Sequence, residues 1–408
     1  MIVLESISEA AGGRKARGDR LRVGMVHYMD FHVDSRLQRL AFALAESGAE
    51  VHVVCLSDPV IIPRGEGTIH LHRAAGEKRR GSPLAFVWGY ASFLAGAFRK
   101  LTGLHRARPL DVVSIHNAPD FVTFAALVPK AAGTPIVFDV HDPFPDLFAS
   151  TYELEMSHPL VRLLGLVERV SASLATTVVT VHREARERLE SRGVGGGKHI
   201  PVFLNTPAEE VFGPQRDVVR VPEEGPLRVV YHGGLAPRYG VESLVRAFGL
   251  AECPSRARLE VHGLFEGLQD IKTLAREVAP ERTFVADAPT PFEQIPELLT
   301  GAHVGVVPPL LDAFTEIVLP VKLFEYIHMG LPVVVSRLPA IEQYFDDSHV
   351  YYVTPGSSDE IAAAIAAIAA DPAEAGRRAT AAAVRLDEFA WRRQRQEYVT
   401  LFRGLARG

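Results

Sequence analysis

Cysteine is almost missing: the chain of 408 residues carries only Cys55 and Cys253. Two thiols so far apart offer no disulfide framework and no metal-ligand spacing, so they read as buried filler in a reduced compartment. An excess of charge of one sign is missing too. Against 44 Lys and Arg stand 49 Asp and Glu, for a net charge of -5. Nothing here supplies the basic face that phosphate neutralisation needs, which excludes nucleic acid as a partner. Long apolar runs are also lacking: the one suspicious stretch, Leu84–Phe98, covers fifteen residues, short of the roughly 20 that span a bilayer. Residues 1–20 contain no apolar core of the signal-peptide kind and read as a loose tail. What is present, 47% hydrophobic and 23% charged residues, describes an ordinary folded protein long enough for two domains of roughly 200 residues each.

The apolar pattern alternates between strand and helix. Leu21–His27 is a β-rich run; Leu37, Leu40, Ala41 and Leu44 recur at helical spacing; Glu50–Leu56 is a second β run. Asp111–His116 and Pro135–Val140 predict buried strands, separated by a helix over Phe121–Ala132 that stops at Gly133. Thr177–Val181 and His199–Leu204 continue the series. Thr206–Pro226 holds prolines and charges without apolar period and reads as a linker. A second βα series then has strands at Leu227–Tyr231, Arg258–His262, Arg282–Val285, His303–Val307 and Pro332–Ser336. The expectation is therefore an α/β protein: a first Rossmann-like domain over 21–205, a linker over 206–226, a second Rossmann-like domain over 227–385, and a terminal helix over 386–408.

Ligands of open parallel sheets bind beyond the carboxyl ends of the strands. His27, His116, His141, His232 and His262 all stand at or just after such ends. The segment Tyr231–Glu242 joins strand to helix through Gly233 and Gly234, which let backbone approach a phosphate, and Arg238 offers a planar fork to a diphosphate. A plain βα turn with a surface arginine is the alternative. In Leu319-Pro320-Val321-Lys322-Leu323-Phe324-Glu325, Pro320 opens a helix that ends at Gly330, and Lys322 and Glu325 share a face. A cation beside a carboxylate suits a nucleoside diphosphate and its ribose; a surface ion pair is the bland alternative.

These segments resemble the glycosyltransferases of family four, retaining enzymes of the GT-B fold. The likeness extends to Asp111–Asp120, to Asp139-Val140-His141-Asp142-Pro143-Phe144-Pro145-Asp146, and to Phe389-Ala390-Trp391 before a last helix. It implies two facing Rossmann-like domains with a cleft between them and a C-terminal helix that crosses back to the first. It also implies a nucleoside-diphosphate-sugar donor held by Gly233, Gly234, Arg238, His262, Gly263, Leu319, Pro320, Val321, Lys322 and Glu325. His141 would face the transferred sugar as the catalytic residue, and His116, Asn117, Asp120 and Asp142 would form the acceptor side. The donor would be a UDP-, GDP- or other nucleotide sugar, and the acceptor a sugar, a glycan or a lipid-linked hydroxyl in envelope or exopolysaccharide synthesis, in the cytoplasm or at the inner face of the membrane. Residues reading the base would lie near His262–Leu264 and Ala288–Pro291.

Two positions depart from the resemblance. The family commonly has paired glutamates eight residues apart; Ile317 stands at the first, with Glu316 one residue out of register. Gly234 and Tyr239 fill the places of an Arg and a Lys that often follow the glycine turn, which leaves Arg238 as the cation there. No Asp-x-Asp pair and no ligand cluster of metal-site character occurs in the sequence, so the expected reaction uses neither metal nor cofactor. A sugar-nucleotide epimerase of the same fold and a catalytically silent nucleotide-sugar-binding subunit are the competing readings. Leu84–Phe98, with Lys78-Arg79-Arg80 before it and Arg99-Lys100 after it, reads either as a membrane-surface contact or as a buried helix of the first domain.

Overall fold

A computed structural model describes residues 20–74, 83–263, 267–288 and 290–408, with backbone alone over 83–87. The N-terminal tail up to residue 19, Lys78-Arg79-Arg80 and Leu264 lie outside the described residues. Two compact units form: Met1–Leu204 together with Arg392–Gly408, and Asn205–Trp391.

In the first unit, β1 (Arg22–His27), β2 (Glu50–Cys55), β3 (Ile61–Arg64), β4 (Gly67–Arg73), β5 (Val112–His116), β6 (Ile136–Val140) and β7 (Thr177–Thr180) lie in the order β3-β4-β2-β1-β5-β6-β7. All pairs are parallel except β3 with β4. The near-continuous apolar runs of β1, β5 and β6 are buried throughout, as strands covered on both faces must be. The β3–β4 hairpin escapes the sequence pattern because His70 and His72 alternate with the buried Ile69 and Leu71.

Helix α1 (Ser35–Glu46) starts where the Asp34 carboxylate accepts from the Leu37 N–H, a side-chain cap of the usual kind. The next helix, α2 (Pro83–Ala107), carries the apolar stretch Leu84–Phe98 and buries part of it. Phe93, Ala97 and Leu101 are fully buried in the core, and Tyr90 packs edge-on against Tyr28 and Phe121. Trp88 alone of the described large side chains there points outward. None of the described helices is long and apolar enough to cross a membrane.

Two expectations need correction in this unit. Residues 121–132 do not form one α-helix: a 3-10 segment, Asp120–Ala126, precedes a short turn of α-helix, Leu127–Ala131. Pro129 has no N–H to return to the preceding turn, so the chain tightens before it. Nor is His199–Leu204 a strand; it makes a single bridge, Thr180 with Val202, next to Pro201, which cannot donate to a ladder. Three further helices follow β6 and β7: α3 (Phe144–Thr151), α4 (Pro159–Leu174) and α5 (Arg183–Ser191).

In the second unit, β8 (Leu227–Gly233), β9 (Ala257–Gly263), β10 (Thr283–Val285), β11 (Val304–Val307), β12 (Val333–Ser336) and β13 (Tyr351–Val353) form a wholly parallel sheet in the order β10-β9-β8-β11-β12-β13. Around it lie α6 (Val241–Ala247), α7 (Leu268–Val278), α8 (Val321–His328), α9 (Ser358–Ala370) and α10 (Pro372–Asp387). Val229, Tyr231, Val261, Val306, Val334 and Ile365 meet in its core. The segment read as a linker packs on this unit: Phe212 and Val221 are buried, and the Arg216 and Val219 N–H groups donate to His328 and Gly330. The apolar residues of the stretch, Ala208, Val211, Phe212, Val218, Val219 and Val221, are broken up by prolines and charges and show no regular period. The last helix, α11 (Trp391–Leu405), returns to the first unit, where Gln394 accepts from the Leu204 N–H and Tyr398 lies edge-on to Phe203.

Candidate active site

Both sheets reverse strand order at one point, between β1 and β5 and between β8 and β11, and crevices open beyond the strand ends there. The sequence-selected residues gather at these two places.

At the end of β8, the Tyr231 hydroxyl donates to the Gly234 carbonyl and accepts from Lys322 Nζ at 2.9 Å. That ammonium also stands 4.1 Å from the Tyr231 ring centre and 5.4 Å from that of Tyr239. A Cβ on Gly233, whose φ is +120°, would come within 2.6 Å of Lys322 Nζ. The glycine thus leaves the space into which the lysine reaches from α8. Burial lowers the Lys322 pKa to about 7, with Glu325 pulling the other way.

Glu325, one turn along α8, is buried, and its Oε2 lies 3.1 Å from His232 Nε2. The His232 N–H donates to the Tyr326 hydroxyl at 3.0 Å. Strand register sets His262 beside His232 and Gly263 beside Gly233. His262 Nδ1 is 3.1 Å from Thr290 Oγ1, and Gly263 makes room for the Leu235 side chain. Arg238 is the middle residue of the 3-10 turn Pro237–Tyr239, and its guanidinium lies 5.7 Å from the Phe314 ring centre. Pro320 caps α8, Leu319 before it is buried, and Val321 begins the helix. At the departure from the family pattern, Ile317 is buried and Glu316 exposed within the 3-10 turn Thr315–Ile317.

The ends of β1, β5 and β6 assemble the other group. Asp139, fully buried, accepts two-pronged bonds from Arg36, with Nη2 at 2.8 Å and Nε at 3.2 Å, the strong geometry for this pair. Burial would raise its pKa, but the Arg36 charge holds it well below the carboxylate range. His116 Nδ1 is 3.4 Å from Asp139 Oδ2 and 3.0 Å from His141 Nε2. Burial lowers the pKa of both rings, so both are neutral at pH 7. An acceptor-only carboxylate keeps the His116 proton on Nδ1, from which it donates to His141 Nε2; His141 then carries its own proton on Nδ1. His27 faces acceptors with both nitrogens, the His116 carbonyl at 3.2 Å and Asp34 Oδ2 at 2.8 Å.

Asn117 ties the loops together. Its Oδ1 accepts from the His141 N–H at 2.7 Å, and its Nδ2 donates to the Asp142 carbonyl at 2.7 Å and to Asp120 Oδ1 at 2.9 Å. Asp120 is itself buried, so it acts through Asn117 and not on an open surface.

The fold also brings donor atoms together that linear spacing keeps apart. Those of His116, Asp139 and His141, and those of His27, Asp34 and His141, lie within 4.8 Å of one another. The expectation of no metal-like cluster is corrected to that extent. Arg36 already engages both Asp139 oxygens, and Asp34 caps α1, which gives these carboxylates work without an ion. Sequence reasoning missed Asp34, Arg36 and Asp139. A signal existed for Asp139: an aspartate inside the buried run Ile136–Val140 requires a cationic or hydrogen-bonding partner.

Comparison with known families gives this geometry its context. Residues 33–203 match the model of the glycosyl transferase 4-like domain, and residues 226–371 that of glycosyl transferases group 1. The chain belongs to the family-four-like glycosyltransferases of the GT-B fold. Similar solved structures include a sucrose-phosphate synthase from Thermosynechococcus elongatus at 16% identity (TM-score 0.74, covering 95% of this chain and 99% of that one). Anabaena HepE in complex with UDP and glucose is 14% identical (TM-score 0.68, 94% and 99%). A UDP-forming trehalose-phosphate synthase from Burkholderia xenovorans is 16% identical (TM-score 0.65, 95% and 99%). At such identities the likeness is one of fold. No curated protein matches the sequence. The chain is thus a glycosyltransferase in which strand ends of both units carry the candidate residues.

Proposed function

We propose that this glycosyltransferase moves a sugar from a nucleoside-diphosphate donor to a hydroxyl acceptor, with retention of configuration and without a metal ion. One observation carries the reading: Lys322 Nζ and the buried Glu325 carboxylate stand together at the end of β8, beside Gly233. An ammonium there meets a diphosphate, and a carboxylate one helical turn away accepts from ribose hydroxyls. Arg238 adds a second cation on the same connection. In the transfer, the bond from the sugar's anomeric carbon to the β-phosphate oxygen breaks and a bond to the acceptor oxygen forms. The acceptor proton passes to the departing phosphate, whose charge the two cations offset. His141, with a proton on Nδ1, presents a donor to the sugar's hydroxyls. Uridine is the first base to test, since HepE was solved with UDP and UDP-glucose.

The test is incubation of the purified chain with UDP-, GDP- and ADP-sugars, with product anomers read by NMR, beside binding to Lys322→Ala, Glu325→Ala and Arg238→Ala. Unchanged donor binding in all three variants removes the site. Conversion of the donor without any acceptor favours an epimerase; donor binding with neither transfer nor hydrolysis favours a silent subunit, the reading that Ile317 motivates. Full turnover by His141→Ala removes the role of His141.

A further inference from the structure

Helix α4 leaves an apolar row uncovered. Leu160, Leu163, Leu166 and Val170 are 52%, 54%, 49% and 41% exposed, and steps of three, three and four keep them on one side of the helix. Val161, Glu168, Ser171 and Ala172 make its buried side. Arg162 and Arg169 are exposed next to the row, whereas the helix's one carboxylate, Glu168, is turned inward. Tyr152 and Met156, just before the helix in the chain, are exposed as well, with Glu153 and Glu155 between them. Single exposed leucines are ordinary; a contiguous row marks a contact surface.

A second feature adjoins it. At the C-terminal end of α4 a cavity of about 270 Å³ is lined by Arg169, Ser173, Thr176, Lys198 and His199, with no carboxylate. Gly193, Gly195 and Gly196, with φ of 76°, 89° and 57°, also line it, which brings bare backbone to the rim. Among the described residues no ion pair engages Arg169 or Lys198.

We propose that α4 lies in the headgroup layer of an anionic membrane, its leucine row against acyl chains and a lipid phosphate in the Arg169–Lys198–His199 cavity. A 16-residue helix is about 24 Å long and suits an in-plane position, with Arg162 and Arg169 along one edge of the apolar stripe. A second copy of the chain fits less well, because a two-fold contact through this row sets Arg162 and Arg169 near their own copies. That the acceptor is then lipid-linked rests on the transferase reading; the membrane contact does not.

The experiment is co-sedimentation of the full chain with vesicles of phosphatidylcholine alone or mixed with phosphatidylglycerol. The expected result is binding to the mixed vesicles that weakens with salt. Leu163→Ser with Leu166→Ser should cut it roughly tenfold, and Arg169→Ala with Lys198→Ala roughly five- to twentyfold. All four side chains are exposed, and matching thermal unfolding would verify that the variants are folded. No binding to either vesicle, or equal binding by the variants, overturns the proposal. So does self-association that Leu163→Ser abolishes, or titratable binding of inorganic phosphate without vesicle binding. Vesicle binding in a chain that transfers no sugar upholds the contact and removes only the transferase reading.

Discussion

Lys322 is the residue on which the donor site turns, and its surroundings make it sensitive to pH. Burial brings its pKa to about 7, so in the free enzyme the ammonium gives way to the amine as pH rises through neutrality. A diphosphate binds the ammonium, and its affinity should fall between pH 7 and 9, by up to about tenfold per unit if only the charged form binds. Calorimetric titration with UDP, or with whichever nucleotide binds, measures this directly. Lys322→Arg cannot lose its proton in that range and should flatten the profile; a flat profile in the parent protein contradicts the coupling. Gly233→Ala probes the same contact from the opposite side. Its Cβ would stand 2.6 Å from the ammonium at a φ of +120°, so it should both strain the turn by about 1–3 kcal/mol and expel Lys322. Loss of nucleotide binding in a still-folded variant is the expected readout.

Among the elements, β5 and β6 carry the group most dependent on its setting. Behind Asn117 sit three buried carboxyls, Asp120, Asp146 and Glu168, with Arg192 the cation that reaches two of them. Burial raises Asp120 to about 7 and Glu168 to about 8, although Arg192 opposes it in both. Their folded pKa values thus lie above those of the unfolded chain, near 4. The folded state therefore binds more protons across that interval, and stability falls as pH rises from about 4 towards 8. Glu168→Gln keeps a neutral group in place and should lessen the fall. Its thermal midpoint, followed by circular dichroism, should gain on the parent by about 3 °C between pH 6 and pH 8.5. A constant difference across that range would mean that Glu168 is not the titrating group. The sequence showed these strands clearly, because Val- and Ile-rich runs bounded by turns leave little choice. It did not show the partnership of Arg36 and Asp34 with the histidines. Those residues lie on and just before α1, a hundred positions from Asp139, and only the parallel register of β1 with β5 and β5 with β6 brings them together.

For the whole molecule, the two βα series were legible and so was the returning helix, while β3 and β4 were hidden by histidines in the alternating pattern. The helix carries a consequence for both units. Tyr398 of α11 is fully buried between Phe203 and Phe402, with ring centres at 5.2 Å and 4.7 Å. Burial, and then the charge of Asp139, push its hydroxyl pKa well above the usual tyrosine value, which sets the ring near the carboxylate that holds His116. Arg395 pairs with Glu46, and Arg403 donates to the Ser47 carbonyl, so α11 is fastened to the C-terminal end of α1 as well. Tyr398→Ala should cost the first unit about 3–5 kcal/mol, seen as an earlier urea transition. Because the charge of Asp139 acts on this ring, and Asp139 holds His116, turnover should drop under native conditions as well. Nucleotide affinity should not, since Lys322, Glu325 and Tyr231 all belong to the second unit. Separate measurement of turnover and of nucleotide binding in Tyr398→Ala tests that division. A parallel loss of both in the folded variant would mean that α11 supports the donor site too.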